Sequence, residues 1–136
     1  MHNRRSVIIA LMLSVFGACS EPEGFKKPED GLDAASSFVR ATLDGDYAKA
    51  ERYVMRDEED LRLFERYKVH MKQVPEKERL GLKSANMIID SVRTPSDSVT
   101  LVHYSNTFHR QSTRLRAVRI GGEWWIDFSD TFGGAH

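Results

Sequence analysis

The sequence predicts an α+β domain, with N-terminal helices packed on a curved four-stranded antiparallel sheet. Three observations predict it. Apolar residues between Leu32 and Val74 recur at three- and four-residue steps, which lines one face of a helix. Beyond Gly81 the texture changes to alternation, the period of a half-buried strand. Gly121-Gly122 stands between two alternating segments, the arrangement of a two-residue hairpin turn. Helices followed by hairpin-joined strands is the order of an α+β layer structure.

The elements follow in chain order. Leu32, Ala35, Phe38, Val39, Thr42 and Leu43 mark the buried face of a first helix. Asp44-Gly45-Asp46 ends it and opens the next, because Gly45 suits a left-handed C-terminal residue and Asp46 suits an N-cap. Tyr47, Ala50, Tyr53 and Val54 give this shorter helix its apolar side. Asp57 opens a third, with Glu58, Glu59 and Asp60 set against the helix dipole, and Leu61, Phe64, Tyr67, Met71 and Val74 as its stripe. Pro75 interrupts the stripe, and residues 75–79 start one further turn.

Strands are expected at residues 86–93, 98–108, 113–120 and 123–129, with a turn at 94–97 and a polar connection at 109–112. A two-residue loop pairs Ile120 with Glu123, Arg119 with Trp124, Ala117 with Ile126, Arg116 with Asp127 and Leu115 with Phe128. Alternation then puts Leu115, Ala117, Trp124, Ile126 and Phe128 on one face, against the helices. Arg114, Arg116, Glu123 and Asp127 fall on a second, largely wet face. A one-residue slip would bury the Arg116–Asp127 pair, which favours this register.

Composition narrows the function classes. The chain has 136 residues, which suits one domain, and 40% hydrophobic residues with seven Phe, four Tyr and two Trp can build a core. Formal net charge is zero, and Arg4 and Arg5 lie in the leader described below, so the body is slightly acidic and excludes general nucleic-acid binding. A single cysteine excludes an internal disulfide and a cysteine-rich metal site. His103 and His109 are six residues apart on a strand region, roughly 20 Å when extended, and cannot share a metal unless the chain bends back. His70 borders a helix stripe and reads as a surface or half-buried residue. The acidic run at 57–60 sits on successive helix positions, whose side chains diverge, so it reads as capping plus a solvated face rather than a calcium loop. No nucleophile elbow or phosphate-cradling glycine loop occurs, and neither a cofactor nor a metal is expected.

Ahead of the domain, Arg4-Arg5 supplies a positive start and residues 7–16 an apolar run, too short for the ~20 residues a bilayer span takes. The run carries no polar face and leads into Ser20-Glu21-Pro22-Glu23-Gly24, which argues against a core helix. Val15-Phe16-Gly17-Ala18-Cys19 resembles the lipobox of bacterial lipoproteins, with Phe16 standing where Leu, Val or Ile is usual. The competing reading is ordinary signal cleavage after Ser20. The resemblance implies that residues 1–18 are a signal peptide and that Cys19 carries lipid and becomes the mature N-terminus. The protein is then lipid-anchored in a bacterial cell envelope. Ser20 in place of Asp after the cysteine implies outer-membrane delivery in a double-membraned host. Residues 19–31, rich in Pro, Glu, Lys and Gly, read as a flexible tether, 32–130 as the domain and 131–136 as a disordered tail.

Phe38-Val39-Arg40-Ala41-Thr42-Leu43-Asp44-Gly45-Asp46-Tyr47-Ala48-Lys49-Ala50 resembles the opening of small nuclear-transport-factor-2-like domains of the cystatin-like superfamily. Val118-Arg119-Ile120-Gly121-Gly122-Glu123-Trp124-Trp125-Ile126-Asp127 resembles their final hairpin. The resemblance implies a cone-like fold with a cavity between sheet and helices, in which some members perform acid–base isomerase or dehydratase chemistry. Such chemistry needs a carboxylate or His inside an apolar pocket. Asp127 is turned by the register to the wet face, and Asp90 has no assigned direction. The expected pocket is lined by Phe38, Tyr53, Phe64, Tyr104 and Trp124, with Arg119 near its rim, placed to stack on the Trp124 ring or meet a ligand. Arg110, Arg114 and Arg116 read as the polar face of an exposed strand. The expected function is therefore a non-catalytic envelope lipoprotein that binds a small molecule or an envelope protein. The alternatives are a small enzyme acting on an apolar molecule and a homodimerising module that uses the outer sheet face.

Overall fold

The computed structural model describes residues 25–132, and the proposed leader and Cys19 lie outside them. Helices α1 (Gly31–Leu43), α2 (Tyr47–Glu51), α3 (Glu58–Gln73) and α4 (Glu76–Lys83) precede strands β1 (Met87–Ser96), β2 (Val99–Asn106), β3 (Thr113–Ile120) and β4 (Glu123–Asp127), and a short α5 (Phe128–Phe132) closes the order. The strands form one antiparallel sheet in the order β1-β2-β3-β4, with helices on one side.

Local chemistry explains the helix boundaries. Asp30 caps α1 by accepting the Asp33 amide, Asp46 caps α2 through the Lys49 amide, and Asp57 caps α3 through the Asp60 amide. Gly45, at φ +72°, takes the left-handed conformation the α1–α2 turn requires. The turn expected after Pro75 is a full eight-residue helix instead. Acidic Glu76 and Glu78 lie in its first turn and Lys83 in its last, each favourable to the dipole. Arg40 reaches across from α1 and donates to the Lys83 and Ala85 carbonyls at 3.0 and 2.7 Å, so the end of α4 is tied to α1.

The final hairpin has the expected register: Ile120 opposite Glu123, Arg119 opposite Trp124, Ala117 opposite Ile126 and Arg116 opposite Asp127. Leu115, Ala117, Ile126 and Phe128 are almost fully buried, together with Phe38, Phe64 and Val102. The Phe64 and Phe128 rings meet edge-on at 5.4 Å, and Phe38 closes the cluster at 6.2 and 6.1 Å from them.

Several boundaries differ from expectation, each for a visible reason. β1 runs to Ser96, because bulges between Ile89 and Ser91 and between Arg93 and Ser96 accommodate Asp90 and Pro95 on an edge strand. β2 stops at Asn106, whose side-chain oxygen accepts the Phe108 and His109 amides at 2.9 and 2.6 Å and turns the chain. β4 stops at Asp127 and Phe128 opens α5. Asp60, expected on a solvated face, is 1% exposed and accepts the Phe128 and Ser129 amides at 2.9 and 3.1 Å. Thr131, assigned to the tail, lies in α5 and donates to the Arg114 carbonyl at 2.7 Å.

Residues 25–30, assigned to the tether, lie against the domain. The Phe25 ring packs 5.1 Å from that of Tyr53, whose hydroxyl donates to the Lys26 carbonyl. Half-burial of that large apolar side chain and the Tyr53 hydroxyl bond contribute against the entropy of ordering the segment. The outer sheet face carries the Arg116–Asp127 pair, with Arg114 bonded to Asp130 nearby. It is less wet than expected, since Val118 is 7% exposed and Leu101 and Trp125 are half-buried there.

Candidate functional site

The sheet and helices part at one end of the strands, leaving a cavity of about 330 Å³. Helical spacing supplies one wall: Phe38 and Thr42 are four apart on α1, and Tyr67 and Met71 four apart on α3. Strand spacing supplies the other, since Tyr104 and Asn106 are two apart on β2 and share a face, with Thr113 opposite Tyr104 on β3. Phe128 forms part of the lining, and His109 and Gln111 come from the loop between β2 and β3.

Few ionisable groups line the cavity. Among the described residues its lining contains no carboxylate, Lys or Arg. Burial pushes the Tyr104 hydroxyl up to about 12, and it pushes Tyr67 up as well, reinforced by the neighbouring Tyr47 and Tyr104. Both phenols therefore stay protonated at neutral pH. Tyr67 shares a hydrogen bond with the Thr42 side chain, while the structure gives the Tyr104 hydroxyl no protein partner among the described residues.

Beside the cavity, α4 and the 107–112 loop clasp each other. His109 Nε2 lies 3.0 Å from Glu78 Oε1, and the Phe108 ring stacks edge-on against His109 at 4.7 Å. Gly81 permits this clasp, because a Cβ there would sit 2.3 Å from Phe108 Cε2. His103 lies elsewhere, 3.3 Å from Ser91 on the outer face, so the two histidines do not converge. His70 is exposed on α3. Among the described residues no three His, Cys, Asp or Glu side chains form a metal shell, and no helix is long and apolar enough to cross a membrane.

The expected pocket residues are not brought together. Phe38 and Tyr104 line the cavity, but Phe64 lies fully in the core. Tyr53 and Trp124 line a different hollow at the other end of the sheet. Arg119 is exposed opposite Trp124, and the cation over an indole is Arg56, 5.8 Å from the Trp125 ring. Tyr67 was legible as part of the α3 stripe, yet periodicity alone does not separate a cavity wall from a core contact. Asn106 and Thr113 carried no signal beyond strand alternation, and Gln111 none beyond its place in a polar connection. No family model, no curated protein and no solved structure matches the chain.

Proposed function

We propose that this domain is a ligand-binding module held at a bacterial envelope membrane through lipid on Cys19. Its ligand is a small, uncharged, largely apolar molecule. The observation that carries the reading is the lining of the 330 Å³ cavity: aromatic and aliphatic walls, two neutral tyrosine hydroxyls and no carboxylate, Lys or Arg side chain. Such a site favours apolar surface and rewards one or two hydrogen bonds, while an ionised ligand would be desolvated without a counter-charge. The envelope half of the reading rests on the lipobox-like string before Cys19.

Native mass spectrometry of protein purified from its own host, followed by thermal-shift titration of the recovered molecule, tests the binding reading. The expected result is a neutral ligand that raises Tm in wild type and binds Tyr104→Phe about 3–10-fold more weakly, the loss of one hydrogen bond. A charged ligand, or one unaffected by Tyr104→Phe and by Thr42→Val, refutes it. Labelled fatty acid should enter wild type and not Cys19→Ser.

A second reading has its own support. His109 reaches the cavity and is hydrogen-bonded to Glu78, the orientation a general base needs. An isomerase or dehydratase of apolar molecules would return the recovered ligand chemically changed after incubation. Unchanged ligand counts against catalysis. A homodimer reading rests on Leu101, Val118 and Trp125 of the outer face, and light scattering that gives a strict monomer removes it.

A further inference from the structure

We propose that the surface around Phe25, Trp124 and Trp125 is a membrane-apposed face that seats the domain on an anionic phospholipid bilayer. The inference rests on the reading of Cys19 as the lipid-bearing residue. Five residues lie between Cys19 and Phe25, which limits the distance to about 20 Å even when extended. Phe25 is itself docked on Tyr53, so a lipid at Cys19 holds this part of the domain nearest the bilayer.

The chemistry of the surface suits that position. Phe25, Lys27, Arg52, Arg56, Trp124 and Trp125 line a hollow of about 390 Å³. The Arg52 guanidinium lies 5.0 Å from the Phe25 ring centroid and that of Arg56 lies 5.8 Å from the Trp125 ring. Arg56 directs its hydrogen bonds to the Glu51 and Val54 carbonyls, which do not neutralise its charge. Lys27 pairs with Glu123 at 2.8 Å, the lysine largely exposed and the glutamate half-buried. Half-buried indoles beside arginines are the side chains that suit the boundary between headgroups and acyl chains. Each cation close to an anionic leaflet adds to the attraction. The patch is too small to anchor a protein alone and acts as the second signal beside a lipid chain.

The orientation has a consequence for the ligand cavity. Thr113 lines that cavity at one end of β3, and Arg119 stands opposite Trp124 near the other. The ends of this eight-residue strand are about 23 Å apart, so the cavity opens away from the bilayer.

Both tryptophans of the chain lie in this patch, so intrinsic emission reports on this face alone. Full-length lipidated protein is reconstituted into mixed phosphatidylglycerol and phosphatidylcholine vesicles, with plain or brominated acyl chains. Expected is a blue-shifted emission that bromine quenches, with weaker quenching in pure phosphatidylcholine. Arg56→Gln lowers the docked-to-undocked ratio about 5-fold. Emission that is the same in brominated and plain vesicles, from protein labelled at Cys19, overturns the docking proposal and leaves the anchor reading standing. That result is also what a face reserved for a protein partner would give. Absence of label at Cys19 overturns both.

Discussion

Asp60 offers the sharpest test of how this fold is held together. Its carboxylate lies in the first turn of α3, 1% exposed, and accepts the Phe128 and Ser129 amides where β4 turns into α5. In Asp60→Ala both amides lose their partner. An orphaned buried N–H costs about 1–3 kcal/mol; the buried Phe128 amide falls toward the upper end and the partly buried Ser129 amide toward the lower. Removing the carboxylate also relieves its own desolvation, which is the largest cause of its raised pKa. The net expected loss is about 2–4 kcal/mol, a large share of the ~5–15 kcal/mol typical of a domain. The matching fall in Tm is about 10–20 °C. Asp60→Asn keeps one acceptor oxygen and should lose about half as much. Urea unfolding followed by tryptophan emission measures both, since the indoles sit on β4. The pH arm has a definite sign. A carboxyl whose folded pKa is raised contributes stability below the ordinary value of 3.8 and loses it as pH climbs through the raised value. Wild type should therefore lose stability relative to Asp60→Asn as pH rises from about 4. A loss below about 0.5 kcal/mol for Asp60→Ala, or an opposite pH trend, would refute the assignment.

Other outcomes follow from the same contacts. Arg40→Met removes the donors to the Lys83 and Ala85 carbonyls; we expect a loss of about 1–2 kcal/mol and faster amide exchange confined to α4. Gly31→Ala would place a methyl 2.2 Å from Oγ1 of buried Thr100, and we expect about 1–3 kcal/mol of destabilisation in urea melts that Thr100→Ala partly rescues. In ultraviolet titration the Tyr104 phenol should ionise near 12, later than an exposed tyrosine. Because its folded pKa is raised, the stability it supports is present below about pH 10 and lost as pH rises toward 12. Tyr104→Phe should remove that alkaline component.

Much of the fold was legible because it rests on short-range chemistry. The caps at Asp46 and Asp57, the left-handed Gly45 and the hairpin at Gly121-Gly122 each depend on residues within a turn of one another. The register of β3 on β4 followed from loop length and the side-chain period. One missed feature carried a local sign. Asp60 stands four residues before Phe64, on the buried side of α3, whereas Glu58 and Glu59 face water. Asp127 and Asp130 likewise stand three apart, the spacing at which Asp127 accepts the Asp130 amide to open α5.

The candidate site was less legible. Phe38, Tyr53, Phe64, Tyr104 and Trp124 all face inward, as their patterns require, but inward does not distinguish core, cavity and rim. Alternation and helical period, acting over a few residues, determined by themselves which side chains turn away from water and which strands pair. Where the cavity between sheet and helices lies was decided only in three dimensions. Residues 53–55 bond along β4 and Phe25 covers Tyr53, so the hollow at that end is an outer one beside Trp124 and Trp125, while the cavity between sheet and helices lies at the other, beside the clasp of α4 and the 107–112 loop. Those contacts join positions far apart in the chain, and their outcome depends on which surfaces meet rather than on any local pattern.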